Sequence, residues 1–300
     1  MPFVRVRRAI ALLLSIALLT FAVACGGGDD DDLAEDENDN TGGDAPAAVA
    51  YTPKGNEGTV AGTIAFTGAA PERKAISMDA DNACAAGNPN PLSEDTIVTD
   101  GKLENVFVYV KDGKLTEGSK NITALTFAPP APDVLLDQKG CQYRPHVVGI
   151  MTTQQLKVTN SDGTTHNVNV QPKSNQGFNQ AQGAGAPAIV KTFPRGEVQV
   201  PVKCNQHPWM KSYLNVMRHP FFAVSGADGK FEIKGLPPGT YTIAAWHERF
   251  GEKTQSVTVA ASESKAQDFS FDAAAARADF TPGSLEVLPA IEFPMLVKHH

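Results

Sequence analysis

Short segments of alternating polar and apolar residues, separated by turns, occupy most of the chain from residue 58 onward. Such alternation is typical of half-buried β-strands, and clusters of Gly, Pro and Asp between the segments are typical of turns. Since no extended amphipathic helical pattern interrupts them, we predict an all-β protein built from sandwiches or barrels. The predicted strands are residues 58–66, 105–110, 155–160, 166–171, 197–204, 212–217, 221–225, 230–235, 240–248 and 255–260.

The N-terminus has the organisation of an export signal. Three arginines precede an apolar run, residues 9–24, which ends in small residues and is short for a membrane-spanning anchor. Its end, Ala-Val-Ala-Cys, resembles the lipobox of bacterial lipoproteins. That resemblance implies removal of residues 1–24 and lipidation of Cys25. We therefore expect an extracytoplasmic protein anchored by lipid to a membrane, in the periplasm or at the cell surface, the outer membrane included. Ordinary cleavage beside an unmodified Cys25 is the alternative.

An acidic stretch follows the signal. Residues 26–50 contain nine acidic, no basic and no aromatic residues, so they cannot bury enough apolar surface to offset the entropy of ordering. We predict a disordered tether over residues 25–57. The whole chain has a net charge of −7, but residues 51–300 contain 23 basic and 24 acidic residues. This near-neutral body lacks the basic footprint of a nucleic-acid-binding protein and is large enough for one large or two small domains.

A hairpin pattern with the turn Leu-Pro-Pro-Gly-Thr-Tyr lies in residues 228–259. Pro237 and Pro238 fix φ, and we expect Gly239 to take a positive φ before the next strand. The pattern resembles the carboxypeptidase regulatory-like family, whose members are small transthyretin-like sandwiches. Such domains usually begin with a strand like residues 58–66, so the resemblance implies that the sandwich draws on distant parts of the chain.

A cysteine, a histidine and a methionine follow one another at intervals of three in Cys204, His207 and Met210. Thiolate and thioether are soft ligands that suit copper, and imidazole binds both of its common oxidation states. A blue-copper site needs a second imidazole, and His166 offers one at the start of a strand, just after a turn. Zinc would require a fourth strong ligand, and haem attachment would require a Cys-x-x-Cys-His sequence, which is missing.

This layout resembles the cupredoxins, and among them the amicyanin group, over about residues 134–217. The shared features are the short Cys-x2-His-x2-Met loop, with Pro208 after the histidine, and an upstream histidine followed by Asn and a strand. The resemblance implies a Greek-key β-sandwich that holds one type-1 copper ion. It implies the ligands His166, Cys204, His207 and axial Met210, with Asn167 joining the two ligand loops and Pro208 adjoining the site.

The remaining cysteines bear on the same site. If Cys25 carries lipid, three cysteines remain in an oxidising compartment. A Cys84–Cys141 disulfide would leave Cys204 free for a metal. Counting alone leaves the other pairings open, and the motif around Cys204 argues against them.

Several aromatic and imidazole side chains lie near the proposed loop. For His146 we leave three roles open: a contact beyond the ligands, an alternative ligand, or an ordinary strand histidine. His219 and His247 are interpreted as ordinary strand histidines. Pro208 has no backbone N–H, and we expect it to raise the reduction potential. Four aromatic residues are interpreted either as core or as an apolar docking surface: Trp209, Tyr213, Phe221 and Phe222.

The predicted architecture is a cupredoxin Greek-key sandwich plus a smaller transthyretin-like sandwich, either nested or sequential. The predicted segments are the signal 1–24, the tether 25–57, N-terminal strands 58–133, the cupredoxin domain 134–218, the regulatory-like sandwich 219–271 and a tail 272–300.

The sequence contains no nucleophile elbow, no His-Glu-x-x-His and no phosphate-binding loop. The resemblance to cupredoxins implies single-electron transfer to a redox partner such as a cytochrome or a membrane redox complex, and we expect no enzymatic activity. The alternatives are a non-redox adhesion lipoprotein and a copper delivery or sensing protein.

Overall fold

The computed structural model describes residues 49–130 and 133–275. The predicted signal, the lipidation site Cys25, most of the acidic tether and the tail beyond residue 275 lie outside the described residues. Within them, the single α-helix, α1 (Asn82–Gly87), has six residues. None of the described helices has the length and apolarity needed to cross a membrane.

The described residues form 21 β-strands, which confirms the all-β prediction. The first strands are β1 (Val49–Ala50), β2 (Gly58–Thr67), β3 (Val98–Thr99), β4 (Lys102–Leu103), β5 (Phe107–Leu115) and β6 (Leu125–Thr126). The middle strands are β7 (Val134–Gln138), β8 (Tyr143–Arg144), β9 (Val147–Met151), β10 (Leu156–Asn160), β11 (His166–Val170), β12 (Phe178–Gln182), β13 (Ile189–Lys191), β14 (Glu197–Lys203) and β15 (Lys211–Met217). The last strands are β16 (Phe222–Val224), β17 (Lys230–Leu236), β18 (Gly239–His247), β19 (Gly251–Val259), β20 (Ser264–Ala266) and β21 (Phe269–Asp272). Three 3-10 turns are Glu117–Ser119, Ile122–Ala124 and Ala273–Ala275.

Strands from both ends of the described chain build one sandwich, which we call the outer sandwich (β2–β5 and β16–β21). One sheet has the order β17-β2-β4-β3, with β20 and β21 also paired to β2, and the other has the order β16-β5-β18-β19. Alternation places Phe231 and Ile233 of β17 in the core while their neighbours face solvent. The sandwich therefore buries one face of each sheet against the other.

The middle strands form a second sandwich, which we call the inserted sandwich (β7–β15). Its sheets have the orders β13-β10-β7-β8 and β12-β11-β14-β15-β9. The β7–β10 and β9–β15 pairs are parallel, whereas the other pairs within these sheets are antiparallel. Leu136, Val158, Val168 and Val202 belong to its separate buried core.

The two sandwiches are nested. Strand β5 pairs with β16 and β18, and β2 pairs with β17, β20 and β21, so strands before and after the insertion share sheets. Of the two orders that the sequence left open, the structure has the nested one. The connection between β2 and β3, residues 68–97, also belongs to the outer sandwich's part of the chain and includes α1.

Two local features differ from the sequence-based expectations. The end of the predicted tether, residues 49–57, is ordered: β1 pairs with β6, and Tyr51 packs with Phe127 against the core of the outer sandwich. The run of acidic residues ends at Asp44, and residues 49–51 are Val, Ala and Tyr, so composition no longer favours disorder there. Gly239 does not have the expected positive φ; the glycine with a positive φ that precedes it is Gly235, at +70°. Gly239 is required for space, since a Cβ there would lie 2.5 Å from the Lys114 carbonyl oxygen.

An apolar interface joins the sandwiches. Phe107 and Trp246 of the outer sandwich share a buried cluster with Val147 and Met217 of the inserted one. Aromatic rings of the outer sandwich pack against the β9 backbone at Gly149, where an added Cβ would lie 2.5 Å from the Phe222 ring. The two sandwiches are therefore held in a defined contact that also includes polar groups, described below.

Candidate metal centre

Three of the predicted ligands converge in the inserted sandwich. His166 begins β11, Cys204 follows β14, and His207 lies in the loop before β15. Strands β11 and β14 pair directly, with Asn169 opposite Lys203, so the end of one brings Cys204 beside the other. The side chains of His166, Cys204 and His207 are all buried, and their ligand atoms all lie within 4.8 Å of one another.

The contacts identify which nitrogen of each ring faces the centre. The Nδ1 atoms of His166 and His207 lie 2.9 Å apart, and the Cys204 Sγ lies 3.6 Å from the Nδ1 of His207. Cys204 is a free thiol, whereas Cys84 and Cys141 form a disulfide. A free sulfur and two imidazole nitrogens therefore face one small buried space.

The ligand loop is closed by its own backbone. The Cys204 N–H donates to the Met210 carbonyl at 3.1 Å, and the Met210 N–H donates to the His207 carbonyl at 2.9 Å. Met210 is 1% exposed and belongs to the same buried cluster as Cys204. Pro208, between them, is exposed to solvent. The tight turn thus fixes Cys204 and His207 relative to one another.

Asn167 joins the two ligand loops. Its side-chain oxygen accepts a hydrogen bond from the Asn205 N–H at 2.5 Å, and its own N–H donates to the Cys204 Sγ at 3.5 Å. The Cys204 Sγ also lies 3.4 Å from the same side-chain oxygen, so Asn167 contacts the sulfur of one ligand loop and the backbone after it.

The outer nitrogen of each imidazole faces a carboxylate. His166 Nε2 lies 2.9 Å from Asp162 Oδ2, and His207 Nε2 lies 3.3 Å from Asp81 Oδ2. An ionised carboxylate only accepts hydrogen bonds, so each ring donates through Nε2–H and leaves its Nδ1 lone pair directed inward. Metal-binding histidines commonly have such a partner. Sequence reasoning missed both: Asp162 stands four residues before His166, but no sequence signal connects Asp81 with His207.

Burial and hydrogen bonding support these protonation states. Burial lowers the pKa of His166, and the nearby His207 lowers it further, although the bond to Asp162 opposes both effects. The pKa of Asp81 is lowered because its carboxylate accepts hydrogen bonds from the Cys84 N–H and the Thr164 hydroxyl. A neutral His166 and an ionised Asp81 are the forms that ligation at Nδ1 requires.

The disulfide lies directly over this arrangement. Cys84 Sγ lies 3.7 Å from His207 Nε2, and the Trp209 indole N–H donates to the Cys141 carbonyl at 3.1 Å. The segment that supplies Cys84, residues 78–88, is called the cap segment below. The cap segment belongs to the connection between β2 and β3, so the residues that cover the centre are distant in sequence from the ligands they contact.

The donor set fits copper. With both Nε2 atoms donating to carboxylates, the two Nδ1 lone pairs face each other at 2.9 Å beside a sulfur. Facing lone pairs repel unless a proton or a metal ion lies between them. One thiolate with two imidazoles and a nearby Met210 is the combination that favours copper over zinc or hard cations.

His146, whose role the sequence left open, lies at the interface. Its Nε2 lies 2.5 Å from Glu248 Oε1 of the outer sandwich, and it is absent from the clusters of candidate metal ligands among the described residues. His219 and His247 are buried and stack on Phe221 and Phe250. Burial lowers the pKa of each to about 4, so both are neutral core side chains.

The four aromatic residues do not form a docking surface. Phe221 is buried in the outer core, whereas Phe222 and Tyr213 pack in the interface between the sandwiches. Trp209 is partly buried, with its ring centroid 5.2 Å from that of His207. The core interpretation is therefore correct for three of them.

Comparisons with known proteins agree with parts of this description. Residues 217–272 match a family model described as a carboxypeptidase regulatory-like domain, which confirms the resemblance of residues 228–259. A search of curated proteins found no match.

Weak similarities link the chain to solved copper proteins. A purple cupredoxin from Nitrosopumilus maritimus is 19% identical over 28% of this chain and 99% of its own, with a TM-score of 0.24. Amicyanin from Paracoccus versutus is 18% identical over 36% of this chain and 96% of its own, with a TM-score of 0.26. A copper-containing nitrite reductase (NirK) from Thermus scotoductus SA-01 is 19% identical over 31% of this chain, with a TM-score of 0.28, and only 26% of its length is covered. The chain is thus similar to a regulatory-like domain in its last described strands. The evidence for a metal centre is the geometry of His166, Cys204 and His207.

Proposed function

We propose that this protein is a single-electron carrier with one type-1 copper site formed by His166, Cys204, His207 and Met210. The observation that carries the proposal is the convergence of two Nδ1 atoms and one free sulfur in a buried space, with both Nε2 atoms directed at carboxylates. Bound copper would supply a Cu(I)/Cu(II) couple, with a potential that depends on the axial ligand and on hydrogen bonds to the sulfur.

The protein's part is to hold these ligands still. Asn167 fixes the two loops to each other, and the closed turn fixes Cys204 relative to His207. Each imidazole is oriented by a carboxylate on its far side. Because these contacts leave little freedom for rearrangement, the ligand positions would change little between two oxidation states, which favours electron transfer.

Burial favours an electron carrier over copper delivery. The four proposed ligands are all at most 5% exposed, and the cap segment covers the His207 edge. A delivery protein must pass its metal to a partner by ligand exchange, which requires accessible ligands. Adhesion alone would not explain a free thiol beside two converging imidazoles.

The proposed setting follows the N-terminal sequence. Lipid on Cys25 would hold the protein at a membrane outside the cytoplasm, with a redox protein such as a cytochrome or a membrane redox complex as its partner. We propose no enzymatic reaction.

The test is visible spectroscopy of the purified protein with one equivalent of Cu(II). We expect an intense thiolate-to-copper charge-transfer band, a blue colour and a stoichiometry of one copper per chain. Cys204→Ser removes the thiolate and should abolish the band. Lys203→Ser changes the adjacent exposed residue and should leave it intact.

A potentiometric titration followed at the same band should fit a one-electron couple. A protein that binds copper without the band would contradict a type-1 site, and one that binds no copper would favour adhesion. Rapid transfer of Cu(I) to a weak chelator would favour delivery.

A further inference from the structure

The His207 side chain is oriented by a residue from outside the inserted sandwich. Asp81 lies in the cap segment, between β2 and β3, and its Oδ2 lies 3.3 Å from His207 Nε2. The residues are 126 positions apart, and all four proposed ligands come from the inserted sandwich. The outer sandwich's part of the chain thus contributes directly to the candidate centre.

The two oxygens of Asp81 have different partners. Oδ1 accepts from the N–H groups of Ala83 and Cys84, at 2.8 and 3.1 Å, and so caps the N-terminus of α1. Oδ2 accepts from the Thr164 hydroxyl at 2.8 Å and faces His207. Since Oδ1 is engaged by the helix, Oδ2 is held towards the ligand loops.

Three further contacts hold the cap segment in place. The disulfide joins Cys84 to Cys141, and Asn88 Nδ2 donates to the Gly140 carbonyl at 3.2 Å. Met78 completes a small buried cluster with the disulfide. The carboxylate therefore reaches His207 from a fixed support.

We propose that Asp81 is a positioning residue that holds His207 in its metal-binding tautomer, with the proton on Nε2 and the Nδ1 lone pair directed at the metal. This inference rests on the metal site of the proposed function. Through Asp81, the outer sandwich sets the metal affinity of a site whose ligands lie in the inserted sandwich.

The informative change is Asp81→Asn. Asn caps helices as well as Asp does, so its oxygen can continue to cap α1. The group facing His207 then becomes an NH2 donor, which pairs with an Nε2 lone pair and places the ring proton on Nδ1, where it competes with the metal. Loss of such a partner to a ligating histidine typically weakens metal binding about 10- to 100-fold, and we expect Asp81→Asn to do so.

Two variants serve as controls. Asp81→Ser keeps an oxygen that can cap α1, but its shorter side chain places neither an acceptor nor a donor beside His207 Nε2. It should therefore weaken copper binding less than Asp81→Asn. Asp79→Asn makes the same chemical change at an exposed cap residue that bonds Ser77 instead, and should have no effect. A free-thiol count checks that each variant retains its disulfide.

Two readouts are needed, one of them without metal. Nitrogen-15 NMR of the metal-free protein should show the Nε2–H tautomer of His207 in the wild type and the Nδ1–H tautomer in Asp81→Asn. Competition with a Cu(I) chelator should show the expected loss of affinity. The same tautomer in both proteins would overturn the inference whether or not copper binds. A tautomer switch in a protein that binds no copper would instead refute the proposed function.

Discussion

A buried carboxylate links the two sandwiches, and its pH dependence can be worked out from the structure. Glu248 follows β18 of the outer sandwich and has a side chain only 5% exposed. Its Oε1 lies 2.5 Å from His146 Nε2, and its Oε2 accepts from Lys211 Nζ at 2.7 Å and from the Tyr213 hydroxyl at 3.0 Å. All three partners belong to the inserted sandwich, so Glu248 stabilises the contact between the two.

Burial alone would raise the pKa of Glu248, but the contacts with His146 and Lys211 outweigh it and lower the pKa from 4.5 to about 2. At about 1.4 kcal/mol for each pKa unit, this difference corresponds to about 3 kcal/mol of stability. Because the folded-state pKa is the lower one, this stabilisation is complete above the unfolded-state pKa. It is lost as the pH falls from 4.5 through about 2.

Urea unfolding of the wild type and Glu248→Gln, from neutral pH to about pH 2, measures this contribution. At neutral pH the variant should be about 3 kcal/mol less stable, at the lower end for a broken buried ion pair because Lys211 is partly exposed. The difference should shrink by about 3 kcal/mol towards pH 2. Glu232→Gln, whose side chain is 50% exposed, should change stability by less than about 1 kcal/mol. A Glu248 difference that does not change with pH would refute the reasoning.

Two further changes test the cap segment and the interface. Replacing Cys84 and Cys141 together by serine removes a disulfide that joins residues 57 positions apart. The free energy of unfolding, measured with denaturant, should fall by about 4 kcal/mol. It should also speed copper release to a chelator, and unchanged release would show that the cap segment does not close the site. Gly149→Ala would place a Cβ 2.5 Å from the Phe222 ring and should cost about 1–3 kcal/mol. In the control variant Gly163→Ala the added Cβ has no atom within 4 Å. An equal loss of stability in that variant would contradict the packing argument.

Ten of the 21 described strands correspond to predicted segments, and these include most of the longer strands, whose alternation is a local signal. The segment 58–66 coincides with β2 and 166–171 with β11 to within a residue. Eleven strands were not predicted, among them β12 (Phe178–Gln182) and β13 (Ile189–Lys191), which lie in a stretch rich in Gly, Ala, Asn and Gln. Both are edge strands, and each has only one buried residue, Gln182 in β12 and Ile189 in β13. Neither strand therefore shows the apolar alternation on which the prediction depended.

The proposed ligands also have a local sequence signal, whereas the carboxylates that contact them do not. Cys204 and His207 are three residues apart, so their proximity follows from one turn. His166 was identified because the site needed a second imidazole and His166 begins a strand just after a turn. Asp81 has no such signal, because its approach to His207 depends on the nested topology and on the disulfide. The interaction of Glu248 with His146 likewise arises only when the sandwiches dock.

The nesting makes the outer sandwich part of the candidate centre rather than a separable attachment. Residues 134–217 taken alone would keep the four proposed ligands. They would lose the carboxylate of Asp81, the disulfide partner of Cys141 and the covering of the His207 edge. His207 would then face water at Nε2, and Cys141 would be left as a second free thiol beside the site. The first loss frees the imidazole tautomer, the second adds a competing sulfur and the third admits water, so we expect the proposed copper site to need both sandwiches.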